Sequence, residues 1–267
     1  MFFQRILFSF SAPWKTIRLL RGMPLFLVLL VTILAERFSS FLTTLLLQFA
    51  KQVTEQRAMP DWAYQNIEVL CNILPYLIAA SLFIATATGP MRLAVLRQGS
   101  AKFLETIHMF WLCFIKASQG YGYAWTILPW YLIPLIAVLL TERIAPYFVP
   151  EEYQVFFQGC IAVLAIVSFI RALPVVLMPV VASLGLYEPH HARMVAFEVV
   201  RLEKSLLSFI MILWGASLWS MRYLSTFLND DSVETSLMIL VSILFLMVLS
   251  GACITPMAHI EQQRSRQ

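Results

Sequence analysis

Residues Phe156 to Ala182, reading FFQGCIAVLAIVSFIRALPVVLMPVVA, form an apolar run of 27 residues with a single charge inside it, Arg171. As an α-helix the run is roughly 40 Å long, more than the ~30 Å hydrocarbon core of a bilayer. A water-soluble domain of this size has no use for such a segment. The run predicts a helix that crosses lipid, and the remaining chain has to be compatible with it. Composition agrees: of 267 residues 60% are hydrophobic and 13% charged, whereas soluble domains carry roughly 25% charged residues. There is too little polar surface to coat a particle in water.

The same reading applied along the chain predicts an all-α polytopic membrane protein, one domain of six spans. The spans are expected near Pro24–Phe49, Ile67–Thr88, Tyr121–Leu140, Phe156–Ala182, Leu206–Leu224 and Ser236–Ile254. Residues 1–23 precede the bundle and residues 256–267 form a tail. Gly89-Pro90 is expected to end the second span, and Pro129 and Pro134 to kink the third. Mixed-charge loops are expected over 51–67, with Trp62 and Tyr64 as interfacial anchors, and over 141–153. Two segments set apolar residues at helical spacing beside polar ones and suit helices lying in the interface, 2–10 (followed by Pro13) and 103–114; 188–204 is a third polar segment.

Charge placement orients the bundle. About thirteen of the 19 Lys and Arg residues fall before span 1, between spans 2 and 3, between spans 4 and 5, and after span 6; the opposite loops hold about three. The positive-inside rule therefore expects both termini in the cytoplasm. The aromatic, charge-broken start has no uninterrupted apolar core with a small-residue cleavage site, so no cleaved leader is expected. The four cysteines are widely spaced, without CxxC or Cys/His patterns, and read as small packing residues.

Two parts of the chain look alike at an offset of about 89 residues: Cys71 with Cys160, Pro90 with Pro179 and, nearly, Lys116 with Lys204. Each unit reads as an inward span, a proline at its inner end, a basic amphipathic segment and an outward span. The units run in the same direction, which makes the expected repeat parallel. Arg171 belongs to one copy alone, since Leu82 stands opposite it.

The segment RALPVVLMPVV, followed by a short loop and an amphipathic helix bearing Ser and Lys, resembles the integral membrane domains joined to some bacterial glycerophosphodiester phosphodiesterases, and related stand-alone inner-membrane proteins. Arg171, Pro174 and Pro179 carry the resemblance, which covers about residues 65–225. The metal-binding carboxylates of the phosphodiesterase domain have no counterpart. The resemblance thus implies a six-helix fold and a membrane role, with no catalytic activity to inherit.

Few residues could carry chemistry. A charge at mid-span costs about 2.5–3.5 kcal/mol on insertion scales and usually faces a partner, the bundle interior or water. Arg171 is expected to pair with Glu36 of span 1, to hold a lipid phosphate, or to snorkel to the headgroups. Glu36 and its neighbour Arg37 are candidate binding residues with it. Arg92, Arg97, Lys102, Lys116, Arg193, Arg201 and Lys204 are candidates for contact with lipid headgroups. His108, His190, His191 and His259 fall on the cytoplasmic side without metal-ligand spacing, so no metal is expected. GxSxG, HExxH, Walker A and GxGxxG patterns are absent, and neither a catalytic residue nor a cofactor is expected. The expected partners are membrane lipids, anionic ones among them, and a membrane protein or second copy of the chain; nucleic acid is not expected. Three roles fit: a non-enzymatic protein that binds lipid or supports a membrane complex, a transporter with Arg171 and Glu36 near its path, or an intramembrane enzyme acting on lipid headgroups.

Overall fold

The computed structural model describes residues 2–19, 30–31, 41–53, 61–97, 103–148, 150–228 and 231–264. Within them, every residue except 150 and 186–188 is helical. The elements are α1 (Phe2–Leu19), α2 (41–53), α3 (Asp61–Arg97), α4 (Phe103–Phe148), α5 (Glu151–Gly185), α6 (Pro189–Leu228) and α7 (Asp231–Arg264). The protein is all-α, as the apolar periodicity predicts.

The helices are longer than expected. Pro13 lies inside α1, and Gly89 and Pro90 lie inside α3, which continues to Arg97. Trp62 and Tyr64 sit on the first turns of α3 rather than in a loop. The amphipathic segment starting at Phe103 and the expected third span are one 46-residue helix, α4, about 69 Å long at 1.5 Å per residue. Of the loop expected over 141–153, every described residue except 150 is helical. Segment 188–204 joins the fifth span in α6, where Glu203 leaves helical geometry at φ −125°, ψ 27° and kinks the helix. The first span, Pro24–Phe49, lies largely outside the described residues.

Packing is concentrated at one end of the long helices. On α5, Leu173, Leu177, Met178 and Val181 are wholly buried, while Tyr153, Phe156 and Val167 nearer its start are 60%, 75% and 56% exposed. The buried end meets Met91 of α3, Leu207 and Ile210 of α6, and Met247 and Leu249 of α7 in one core. The helices α4 and α5 share the widest contact. A Cβ on Gly120 would lie 2.8 Å from Pro179 Cα, so a hydrogen at that position lets the two backbones approach. Nearby, the hydroxyls of Thr88 on α3 and Ser183 on α5 share a hydrogen bond, and the Cys113 thiol of α4 donates to the Ser183 carbonyl at 3.5 Å. Buried polar groups at a three-helix junction are thereby satisfied.

The chain leaves α5 through Leu186 in the left-handed region, φ 55°. The Tyr187 and Leu186 amides bond back to the carbonyls of Ala182 and Ser183, closing the helix end. Pro189 then opens α6 at a position where its missing N–H costs nothing. The inner part of α5 (Ile170–Gly185) and the start of α6 (Pro189–Ser217) meet at a bend of 114°.

Candidate functional site

α1 lies on α7 with Ser9, Ala12 and Thr16 facing inward. Gly251 makes this close seat: a Cβ there would stand 2.9 Å from Ala12 Cβ and 3.2 Å from the Ser9 carbonyl oxygen. The buried hydroxyls of Ser9 and Thr16 donate to the Arg5 and Ala12 carbonyls one turn back. Seated in this way, α1 brings Arg5 beside the kink in α6, where its Nη1 donates to Glu203 Oε1. The two residues are 198 positions apart in sequence. Glu203 is 9% exposed and the Arg5 side chain 52%.

A cleft of about 340 Å³ opens over this ion pair. Gln4, Ser9 and Thr255 add polar groups to its wall, and Phe8, Leu206 and Ala252 apolar ones. A carboxylate held this deep costs several kcal/mol unless it is paired. Arg5 supplies the pairing through one nitrogen and one oxygen, so the rest of the guanidinium fork and Glu203 Oε2 make no further bond among the described residues. One cation and one anion thus face one cavity between α1, α6 and α7.

The residues singled out from the sequence are dispersed. Arg171 is exposed and has no ion-pair partner among the described residues. Glu36, Arg37 and Lys102 lie outside the described residues, as does the side chain of Arg97, so the expected Glu36–Arg171 contact cannot be placed. Arg92 is half-buried at a second, smaller cavity of about 70 Å³, lined also by Leu184, Met257 and Glu261. Its Nε is buried without a hydrogen-bond partner among the described residues. Glu261 on that cavity's wall accepts a hydrogen bond from the Tyr187 hydroxyl.

Lys116, a candidate for headgroup contact, pairs with Glu188 at 2.5 Å and ties α4 to the turn after α5. Arg193 stands 6.0 Å from the centre of the Phe197 ring, in a shallow hollow with His190 and Met194. Arg201 meets Glu198 at 3.7 Å, and Lys204 is exposed. The rings of His190 and His191 stand edge to face at 6.2 Å. Among the described residues no three His, Cys, Asp or Glu side chains converge as metal ligands would.

Sequence reasoning missed the Arg5–Glu203 pair. A signal was present. Val195, Val199, Leu206 and Ile210 recur at helical spacing on the buried face of α6, and Glu203 falls in the middle of that stripe. One carboxylate on an otherwise apolar face needs a cation from another helix. No known protein family, curated protein or solved structure matches the chain.

Proposed function

We propose that this chain is an integral protein of a bacterial-type inner membrane that catalyses no reaction of its own and holds membrane lipid at its basic, packed end. The exposed face of α5 carries the reading. Tyr153, Phe156, Cys160, Leu164, Val167 and Arg171 follow one another at helical spacing, all exposed. Eighteen residues separate Tyr153 from Arg171, about 27 Å of helix, close to the ~30 Å of a hydrocarbon core. An aromatic ring at one end and a snorkelling guanidinium at the other are how a spanning face is bounded.

Neighbouring helices support it. Gly120 sits beside Pro179 in the antiparallel α4–α5 pair, which puts Trp125 and Trp130 near the level of Arg171; both are exposed, as belt residues would be. Among the described residues one stretch, Leu237–Gln263, is by itself long and apolar enough to span, or two if the bent α5–α6 pair is one broken span. Six spans and cytoplasmic termini extend this reading. α1 seated on the C-terminal half of α7 favours both termini on one side.

The test is extraction and lipid retention. Expressed in a bacterial host, the full chain should stay with the membrane pellet after an alkaline carbonate wash, and native mass spectrometry in mild detergent should find phospholipid bound to it. Release into the wash, or a purified chain free of lipid, refutes the reading. A transport role rests on the 114° bend between α5 and α6, since transporters place substrate at broken spans. It requires solute flux in proteoliposomes that the empty vesicles lack.

A further inference from the structure

We propose that the cleft between α1, α6 and α7 binds a zwitterion with a phosphate and a primary ammonium two carbons apart: phosphoethanolamine, as a lipid headgroup or as the free molecule. The inference rests on the lipid-holding reading for its lipid source, and on the cleft alone for its chemistry. The cavity, about 340 Å³, is at the small end of the ~300–1,000 Å³ of ligand sites. Its two charges lie at different depths. Glu203 sits at the buried floor and Arg5 at the half-exposed wall.

Arginine presents a fork of N–H donors that matches phosphate oxygens, and the pair with Glu203 occupies one nitrogen of that fork. A primary ammonium has three N–H donors. Glu203 Oε2 and the hydroxyl oxygens of Ser9 and Thr255 are acceptors that can receive them. A quaternary ammonium has no N–H to donate and needs an aromatic cage, for which the cleft offers one ring, Phe8. An anionic glycerol headgroup brings the same phosphate with no cation to set against Glu203. Glu203 therefore gives a choline headgroup charge attraction without a hydrogen bond, an anionic headgroup neither, and a primary amine both. Next to the cleft, Phe3, Leu7 and Phe8 are exposed on α1 and give acyl chains an apolar surface to follow.

The experiment is a lipid-exchange titration of the detergent-purified full chain, read by native mass spectrometry, with phosphatidylethanolamine, phosphatidylcholine and phosphatidylglycerol of identical chains. Wild type should retain the ethanolamine lipid about tenfold better than the other two, the scale of one charged hydrogen bond. Glu203→Gln should lower ethanolamine-lipid retention and raise that of the glycerol lipid, because Arg5 is freed from its partner while the amine loses its own. A purely structural role for Glu203 lowers all three together, and that result overturns the proposal, as does equal retention by wild type.

Thr255→Trp fills the cleft and leaves the ion pair in place. It should abolish the preference, and a preference that survives it overturns the proposal even if Glu203→Gln does not fold. Free phosphoethanolamine separates the sources. If it displaces the bound lipid, the headgroup is what the cleft reads. If it binds while the lipid does not, the cleft's chemistry stands and the lipid-holding reading fails. If neither binds, the proposal is overturned.

Discussion

Two glycines two positions apart on α4 show how much a single hydrogen matters. Gly120 faces Pro179 backbone at a distance no Cβ tolerates, while Gly122 has open space around it. Gly120→Val should push α4 from α5 and destabilise by about 1–3 kcal/mol, the usual cost of overpacking. Gly122→Ala should be neutral or slightly stabilising, since alanine is the better helix former by about 1 kcal/mol. Thermal unfolding in detergent, read by circular dichroism, compares the two; equal effects would mean that α4 and α5 do not touch at Gly120. Neither glycine's role could be told from the sequence, because both sit in the same GYGY stretch. Which one faces a neighbour depends on the rotation of α4, and the apolar residues all round that helix leave its rotation unmarked. Glu203 is the opposite case: its neighbours on the helical wheel are apolar, so its burial was legible while its partner was not.

At the scale of elements, helix identity was readable and helix ends were not. The reading stopped segments at Pro13 and at Gly89-Pro90, as soluble helices stop. A helix runs through a proline when neighbouring groups satisfy the carbonyl it frees. The buried hydroxyls of Thr86 and Thr88 donate to the Leu82 and Ile84 carbonyls one turn back, just before Pro90. α1 is the element whose seat depends most on one position of its neighbour. Gly251→Val should drive a methyl group into Ala12 and the Ser9 carbonyl and lift α1 from α7. Trypsin should then cut at Lys15 and Arg18 several-fold faster than in wild type, with the remaining helices intact on a gel. An unchanged cleavage rate would show that α1 is held by other contacts.

For the whole molecule, the four cysteines report which surfaces face protein, lipid or water. Cys113 and Cys253 are buried, Cys71 is half-buried and Cys160 is exposed on the apolar face of α5. In native membranes, a chain with Cys160 as its single cysteine should resist a charged maleimide and react with a lipid-soluble one, because a thiol in hydrocarbon meets only reagents that partition there. The Cys113 and Cys253 single-cysteine chains should resist both until unfolded. Rapid labelling of Cys160 by the charged reagent would place α5 in water and remove the basis for a membrane reading. The seating of α1 on α7 has a last consequence, for synthesis. α1 has its main resting place on α7, far later in the chain, so it leaves the ribosome long before that seat exists. A nascent chain stopped before residue 251 would own both Arg5 and Glu203 and still lack the wall that lets them meet.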